Sequence, residues 1–433
     1  MNNWQELSSE RGEMNPRKKP KAVIVGGSIA GVSCAHALML AGWEVVVLEK
    51  SHRPPEGSPT GAGLGLNVLS LDIVGSWLGQ PEALLSITKP MVSDQNQAVE
   101  GRKIVRTLTS DETFNHRSAH WSDLHHLLYR ALPPEIFLWG HLFLSFSVSD
   151  EKESVSVEAK LLQSDKTIKV VGDLLVAADG CFSSIRQVFY PDLKLRYSGY
   201  CAWRGVFEFS GMEDSEIIRN VREAYPKLGK SLYLGLVPGS HNVLFEIPNK
   251  RLNWIWYVNQ PEPKVQSNSS TMKVTDEMVR ELLQEAETVW PSQFVSIMKA
   301  TKTPFLNIIY DCDPVKQLHW DNVVLIGDAA HPVTPHCSRS TNMSVLDAAV
   351  LGKCLKKWGR ENLQSALEEY QSIRLPVAAE QVLYSRRVGR IKQGLMLPDR
   401  SILDPAKATP EECWELQQST VPFFGHNPLQ AYN

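Results

Sequence analysis

The sequence predicts an α/β protein with a βαβ unit at its start, a mostly antiparallel β-sheet in its middle and helices toward its C-terminus. Three observations predict it. The β-branched run Ala22-Val23-Ile24-Val25 meets a glycine turn, Gly26-Gly27-Ser28-Ile29-Ala30-Gly31, and then a helix-like stretch. Residues Tyr197 to Trp256 are rich in aromatic and β-branched side chains, a strand composition. Helical patterning returns from Met343 to Trp358 and from Asn362 to Gln393. A chain of 433 residues is too long for one simple core, so two closely packed domains are expected.

Composition narrows the function classes. Hydrophobic residues at 43% and charged residues at 21% are ordinary for a globular protein and exclude a wholly disordered or collagen-like chain. Lys and Arg total 45 against 48 for Asp and Glu, so no net field favours a nucleic-acid backbone or an anionic membrane. No apolar run approaches the roughly 18 residues expected of a spanning helix. Seven scattered cysteines without a Cys-x-x-Cys pair predict reduced thiols, no metal site and a cytoplasmic location. Glu6, Glu10 and Glu13, with no apolar segment beside them, argue against a secretory signal and a transit peptide. Residues 1–20 are polar, carry the basic cluster Arg17, Lys18, Lys19, and are expected to form a flexible arm.

Each element then follows in chain order. Small and apolar residues predominate from Val32 to Ala41, as in a helix buried on most sides, and Gly42 stops it. A second strand, Glu44 to Leu48, ends at Glu49 and completes a βαβ unit in about 30 residues. Leu124, Leu127, Leu128, Ala131 and Leu132 have helical spacing within Ser122 to Leu132. Phe143 to Glu158 and Lys166 to Ala178 alternate as strands do, and Asp179-Gly180 closes them with a turn. Trp203 to Phe209 and Leu252 to Val258 are expected to pair antiparallel, with Trp254 and Trp256 on one sheet face. Thr275 to Trp290 is helical, and Asn322 to Ile326 is a buried strand ending at Gly327-Asp328. Pro376 marks a bend in the last helix, and the Pro-rich residues beyond Leu397 are expected to be irregular.

A strand that runs into a glycine turn and opens a helix aims backbone N–H groups and the positive helix end at one point, which suits a pyrophosphate. Gly26 supplies the tight turn and Gly31 allows close helix–strand packing, while Ser28 stands where G-x-G-x-x-G has its middle glycine. Glu49, 23 residues after Gly26, is placed to accept both hydroxyls of an adenosine ribose. A glycine turn alone also fits a purely structural βαβ unit. Asp179-Gly180 alone fits a plain turn, and Asp328 an ordinary helix N-cap. The strand, glycine turn, helix, second strand and Glu49 together point to a dinucleotide.

The stretch Asp173 to Arg186, with Asp179-Gly180 inside it, resembles the Asp-Gly motif of the flavoprotein aromatic hydroxylases, the single-component FAD monooxygenases. Val324-Leu325-Ile326-Gly327-Asp328-Ala329-Ala330-His331-Pro332 is similar to that family's Gly-Asp motif. Tyr197-Ser198-Gly199-Tyr200-Cys201-Ala202-Trp203-Arg204-Gly205 resembles the opening of the substrate domain in the branch of dihydroxypyridine and salicylate hydroxylases and plant monooxygenases. Tyr370, Arg374, Pro376, Ser385-Arg386 and Gly389 resemble its closing helix, so the likeness covers roughly residues 20 to 395. The resemblance implies a Rossmann-like FAD-binding domain with an interleaved, mostly antiparallel β-sheet substrate domain and C-terminal helices. It divides the chain into FAD-binding segments at 21–75, 118–194 and 305–358. Substrate-domain segments fall at 76–117 and 195–304, a closing helix at 359–396 and an irregular tail at 397–433.

The resemblance also implies roles. Gly26, Gly27, Ser28, Ile29, Ala30 and Gly31 hold the FAD pyrophosphate, and Glu49 with Lys50 the adenosine ribose. Asp179, Gly180 and Arg186 belong to a motif that serves FAD and the nicotinamide cofactor, while Gly327 and Asp328 meet the ribityl chain. Pro335, Ser340, Thr341 and Asn342 lie against the isoalloxazine ring. His331 is expected to be structural. The implied reaction hydroxylates a small aromatic or heteroaromatic molecule with NADH or NADPH and O2, through a flavin C4a-hydroperoxide. Candidates for handling substrate protons are His336, Arg204, Tyr200 and Tyr197, by sequence neighbourhood.

Two departures from the family leave alternatives open. Ser338 and Ser340 stand at or near places usually held by glycine, where an added Cβ restricts φ and crowds the flavin. Trp121 stands where an arginine commonly reaches the pyrophosphate, and it equally fits a Trp packed at a helix start. An FAD reductase, oxidase or epoxidase on the same scaffold, or a flavin-binding protein with weak catalysis, therefore stays open beside the monooxygenase.

Overall fold

The computed structural model describes residues 19–54, 61–264 and 269–432, so most of the expected 1–20 arm lies outside the described residues. Short, fully buried runs of Val, Ile and Leu make a six-stranded sheet, as expected of parallel strands covered on both faces. Its spatial order is His319–Trp320, Val323–Leu325, Leu174–Ala177, Lys21–Val25, Glu44–Glu49 and Phe137–Trp139. All neighbours are parallel except the edge pair His319–Trp320 with Val323–Leu325. Taken by chain order the parallel strands run 3-2-1-4-5 from Phe137–Trp139 across, five of the six places in the Rossmann order 3-2-1-4-5-6, whose ligand crevice lies at the carboxyl ends beside the first strand.

The helix Ile29–Leu40 packs against the helix Ser340–Trp358, and Gly352 permits the contact, since a Cβ there would sit 2.8 Å from the Ala37 carbonyl oxygen. Gly26 has φ +105°, and a Cβ on it would lie 2.2 Å from the Ala178 carbonyl oxygen. On Gly31 the added atom would lie 1.8 Å from the Gly26 carbonyl oxygen. Both positions exclude any side chain.

The second layer is an eight-stranded sheet. In spatial order it runs Thr271–Met272, Phe305–Asp311, Arg196–Glu208, Arg251–Asn259, Ser240–Ile247, Ser231–Val237, Ser93–Glu100 and Lys103–Asp111. It is antiparallel except where Ser231–Val237 meets Ser93–Glu100. One face packs on the helices Asp276–Val289 and Ser292–Ala300, where Trp254 and Trp256 meet Trp290 and Phe294 in one cluster. Both indoles are satisfied, Trp254 donating to Thr301 and Trp256 to Ser240.

Several expected boundaries shift for identifiable reasons. The alternating region resolves into His141–Val148, Val155–Leu161 and Thr167–Gly172, an antiparallel sheet of their own. Leu174–Ala177 then leaves that sheet for the parallel one, which is why its alternation stops and all four residues are buried. The helix expected from Met343 begins at Ser340, and the last helix, Leu363–Lys392, remains one element through Pro376. The tail beyond Leu397 is not irregular throughout. Thr409 and Glu412 form a reciprocal capping box that starts a short helix, Pro410–Cys413. The tail is tied down by Arg106, which donates to the carbonyl oxygens of Pro405 and Ala408, and by Asp111, which accepts from the Ser419 amide at 2.7 Å. Among the described residues no helix is long and apolar enough to cross a membrane.

The glycine geometry sets a test. Gly31→Ala is expected to lose about 2 kcal/mol or more, the cost of forcing atoms into a packed site. Gly75→Ala, inside the helix Val68–Leu78 with nothing within 4 Å of the added Cβ, is expected to gain about 0.5–1 kcal/mol. Urea denaturation of both variants checks this, and an undiminished stability of the first contradicts it.

Candidate functional site

Three turns and the end of the second strand lie side by side at the carboxyl edge of the sheet. Gly26 follows the first strand, Glu49 ends the second, Asp179 follows Leu174–Ala177 and Gly327-Asp328 follow Val323–Leu325. Backbone bonds lace them together: Gly26 donates to Leu48 (2.8 Å), Ala178 to Val25 (2.8 Å) and Ile326 to Ala177 (3.0 Å). Residues separated by hundreds of positions in the chain thus border one crevice.

The crevice has the chemistry of a pyrophosphate and ribose site. The first turn of Ile29–Leu40 carries no acidic residue, and the Ser28 side chain is exposed and makes no capping bond, leaving the positive helix end open. Glu49 is fixed by the amides of Gly27 (2.7 Å) and Ser51 (2.8 Å), with further lone pairs to accept hydroxyls. Lys50 beside it is exposed. The Gly27 carbonyl accepts from His125, and Trp121 begins the helix Trp121–Arg130 stacked on His125 at 5.5 Å while bordering the cavity.

In the next turn, Gly180 takes φ +81°, and Asp179 accepts through Oδ2 from the amides of Ser184 (2.8 Å) and Ile185 (3.3 Å). Its Oδ1 is buried without a partner. An orphaned carboxylate oxygen beside a cradle that no side chain can fill fits a dinucleotide rich in hydroxyls. Asp328 accepts from the Ser340 hydroxyl at 2.7 Å, and burial raises its carboxyl above the usual range. Arg186 is placed differently from the expectation. It is 3% exposed, and its guanidinium donates to the carbonyls of Asp328 (3.1 Å), Ala329 (2.9 Å) and Cys181, so it staples two turns together instead of facing a ligand.

A residue that no motif flagged anchors the third turn. Asp347, fully buried, accepts from the Gly327 amide (2.8 Å), His331 (2.6 Å) and Arg374 (2.7 Å). Burial alone would raise its carboxyl, but His331 and Arg374 hold it well below the usual carboxylate range. His331 is therefore structural.

The loop after this turn contains the two unexpected serines. Ser338 adopts φ +52°, the left-handed conformation for which glycine is the usual solution and which costs another residue about 1–2 kcal/mol. Asn342 secures it, donating to the carbonyls of Ser338 (2.7 Å) and Gly65 (2.8 Å) and accepting from the Asn67 amide (2.9 Å). Asn342 is thus a staple, while Pro335, Ser340 and Thr341 face the cavity.

That cavity, about 610 Å³, runs without a break from Ser28, Trp121 and Asp328 to the eight-stranded sheet. Leu234, Val243, Phe245 and Ile255 make an apolar floor, and Arg204, His241, Tyr257, His336, Arg339 and Gln418 supply polar walls. Arg204 Nε is buried without a partner. His336 meets the Tyr200 hydroxyl through Nε2 at 2.8 Å. Burial, then His241, Lys392 and Arg204, push its imidazole well below its ordinary value and keep it neutral. Gly389 makes room for this pair, since a Cβ there would meet both side chains at 2.5 Å. Tyr200 does not border the cavity and acts only through His336, while Tyr197 donates to the Gln260 carbonyl at 2.8 Å, elsewhere. His241, Tyr257, Arg339 and Gln418 escaped sequence reasoning, because strand alternation and loop composition carry no sign of which side chains converge.

Comparison with known proteins places these features in context. The family described as FAD binding domain matches residues 19–385. Aurachin C monooxygenase/isomerase of Stigmatella aurantiaca is 32% identical over 226 residues, 51% of this chain and 52% of that protein, so the match spans about half of each. The 3-hydroxybenzoate 6-hydroxylase of Klebsiella oxytoca is 27% identical over 379 residues, covering 86% of this chain and 89% of that one. The structure of 2,6-dihydroxypyridine-3-hydroxylase from Arthrobacter nicotinovorans superposes with a TM-score of 0.74 at 22% identity, covering 89% and 96% of the two chains, a likeness of fold.

Behind His336 lies a buried ionisable pair with a measurable consequence. Lys392 Nζ is buried without a hydrogen-bond partner, and Asp94, near Lys392 and Asp111, accepts from Asn96 through Oδ1 while its Oδ2 is buried without a partner. Burial pushes Asp94 up to about 7 against the opposing pull of Lys392. The folded state then holds this proton more tightly than the unfolded chain. The associated stability, up to about 4 kcal/mol, is fully present below about pH 4 and lost as pH rises through about 7. Asp94→Asn is expected to flatten the fall of Tm between about pH 4 and 7, and an unchanged slope contradicts the assignment.

Proposed function

This chain belongs to the FAD binding domain family, its cofactor is FAD, and on that premise we propose that it is a monooxygenase. It uses NAD(P)H and O2 to hydroxylate a small aromatic or heteroaromatic molecule. One observation carries the reading: three sequence-distant turns form a dinucleotide cradle that opens, through a single cavity, onto an apolar chamber walled by His336 and Arg204. FAD, when bound, supplies hydride acceptance and oxygen activation. The rest falls to the chain.

In the turn Gly26, Gly27, Ser28, Ile29, Ala30, Gly31 the amides of Gly26 and Gly27 are bound to Leu48 and Glu49, so the helix end and the amides beyond Gly27 meet the pyrophosphate, and Glu49, flanked by Lys50, accepts the ribose hydroxyls. Asp179 Oδ1 and Asp328 accept hydroxyls along the remaining crevice, Gly180 and Gly327 turn the chain there, and Arg186 and Asn342 fix the loops. Pro335, Ser340, Thr341 and Trp121 border the cavity and exclude water from it. With Nε2 donating to Tyr200, His336 presents Nδ1 as an acceptor for a ring hydroxyl; with Tyr200 donating, it presents a donor. Its low proton affinity suits orientation of that hydroxyl by hydrogen bonding, not storage of a full charge. Arg204 stands ready to pair with a phenolate.

Ser338 supports oxygenation over bare flavin binding, since serine is held in the very conformation a glycine would take. The alternation of cofactor and substrate segments, at 21–75, 118–194 and 305–358 against 76–117 and 195–304, belongs to the same proposal. So does a cytoplasmic location, supported by seven free cysteines.

Turnover of the FAD-loaded protein under ¹⁸O2 with NAD(P)H and a panel of hydroxylated aromatic and pyridine compounds tests this. One ¹⁸O atom in the product per nicotinamide oxidised is expected. Flavin-bound protein that yields only hydrogen peroxide with every compound overturns it.

A further inference from the structure

The eight-stranded sheet presents one face to the chamber, and that face changes character partway across. Arg204, Ile255, Val243 and Leu234 are successive register partners on four adjacent strands, so they share a face, and all four border the cavity. The same row continues through Asn96 to Thr109, and a parallel row runs from Leu232 through Asp94 to Asp111. Leu232 borders the cavity, but among the described residues none from Ser93–Glu100 or Lys103–Asp111 does. Apolar side chains therefore give way to Asp94, Asn96, Thr109 and Asp111 where Ser231–Val237 meets Ser93–Glu100, and the open space stops at that boundary.

These four polar side chains are buried, and the C-terminal tail is what lies on them. The Leu416 carbonyl accepts from Asn96 at 3.4 Å, the Ser419 amide donates to Asp111 at 2.7 Å, and Gln418 between them sits beside Asp94. Leu403, Ala408, Cys413 and Leu416 pack into one cluster with Leu232, Leu234 and Val243, so the tail is anchored on the chamber's own core. Among the described residues Gln418 is the one tail residue that borders the cavity. The tail also lies beyond residues 19–385, the part of the chain that the family matches.

From the strand of Arg204 to that of Leu234 is three strand spacings, about 14 Å. That is longer than a single ring, and beyond Arg204 the row is apolar up to the tail. We propose that the tail is the end wall of the substrate chamber and that Gln418 is its specificity-determining residue, setting how long an apolar substituent the hydroxylated ring of the substrate carries. The assignment rests on the cavity being the substrate site of an FAD monooxygenase. It orients the substrate with its ring hydroxyl toward Arg204 and His336 and its apolar chain over Val243, Leu234 and Leu232, ending against Gln418.

Calorimetric titration of the FAD-loaded protein with 4-alkylphenols, from methyl to decyl, tests it. Affinity is expected to rise about two- to fourfold per methylene and then to level off or fall beyond one chain length. Gln418→Ala should move that limit to longer chains and Gln418→Trp to shorter ones, with flavin content unchanged. A loosened fold does not produce shifts of opposite sign. Ser419→Ala, at an exposed position of the same tail, should leave the limit where it was. Affinity independent of chain length overturns the proposal, as does a limit that neither Gln418 variant moves. A limit moved equally by Ser419→Ala also overturns it, since general tail order would then set the length. Flavin lost from both Gln418 variants assigns the tail to the cofactor and overturns it too. If the limit behaves as expected but no alkylphenol takes up oxygen, the monooxygenase reading fails while the end wall stands.

Discussion

The approach of the first glycine turn to its neighbours determines what the rest of the molecule can do. Gly26 lies so close to the Ala178 carbonyl, and Gly31 to the Gly26 carbonyl, that no side chain fits at either position. That closeness lets a helix end and two further strand ends share one crevice. Loosening it by an ångström would separate the amides from Asp179 and Asp328, and a ligand spanning all three turns would lose part of its hold. Burial of the Val, Ile and Leu strands underneath is what makes the geometry rigid enough to matter.

Two buried ionic residues extend this constraint outward. Arg186 joins the second turn to the third through backbone carbonyls, and Asp347 fixes the third through the Gly327 amide while pairing with His331 and Arg374. Removing one partner of such a pair strands the other's charge in the interior, which costs about 3–5 kcal/mol. The C-terminal helix carrying Arg374 therefore belongs to the cofactor cleft as much as to the outer layer. The same helix presents Gly389 behind His336 and Lys392 behind the chamber, so one element supports both halves of the site.

What the amino-acid sequence made legible is what local chemistry encodes. Gly26, Gly31 and Gly180 need conformations or contacts open only to glycine, and runs such as Leu174–Ala177 are apolar because both faces are covered. The parallel sheet, the tryptophan-rich antiparallel sheet and the closing helices followed from these signs. Arg339, Asp347, His241 and Lys392 gave no sign, because each acquires its meaning from side chains far off in the chain. Arg339 stands in a loop whose neighbours suggested only crowding by Ser338 and Ser340, and its partner Phe424 sits in a tail expected to be irregular. The capping box at Thr409 was visible in principle, as Thr-x-x-Glu beside a proline, but the Pro-rich surroundings concealed it.

Hydrogen–deuterium exchange of the flavin-free protein, with and without added FAD, bears most directly on the claim that three distant turns form one cofactor site. Added FAD should slow exchange together in residues 26–31, 179–186 and 327–342. Protection confined to the first glycine turn, or absent from all three, would contradict it.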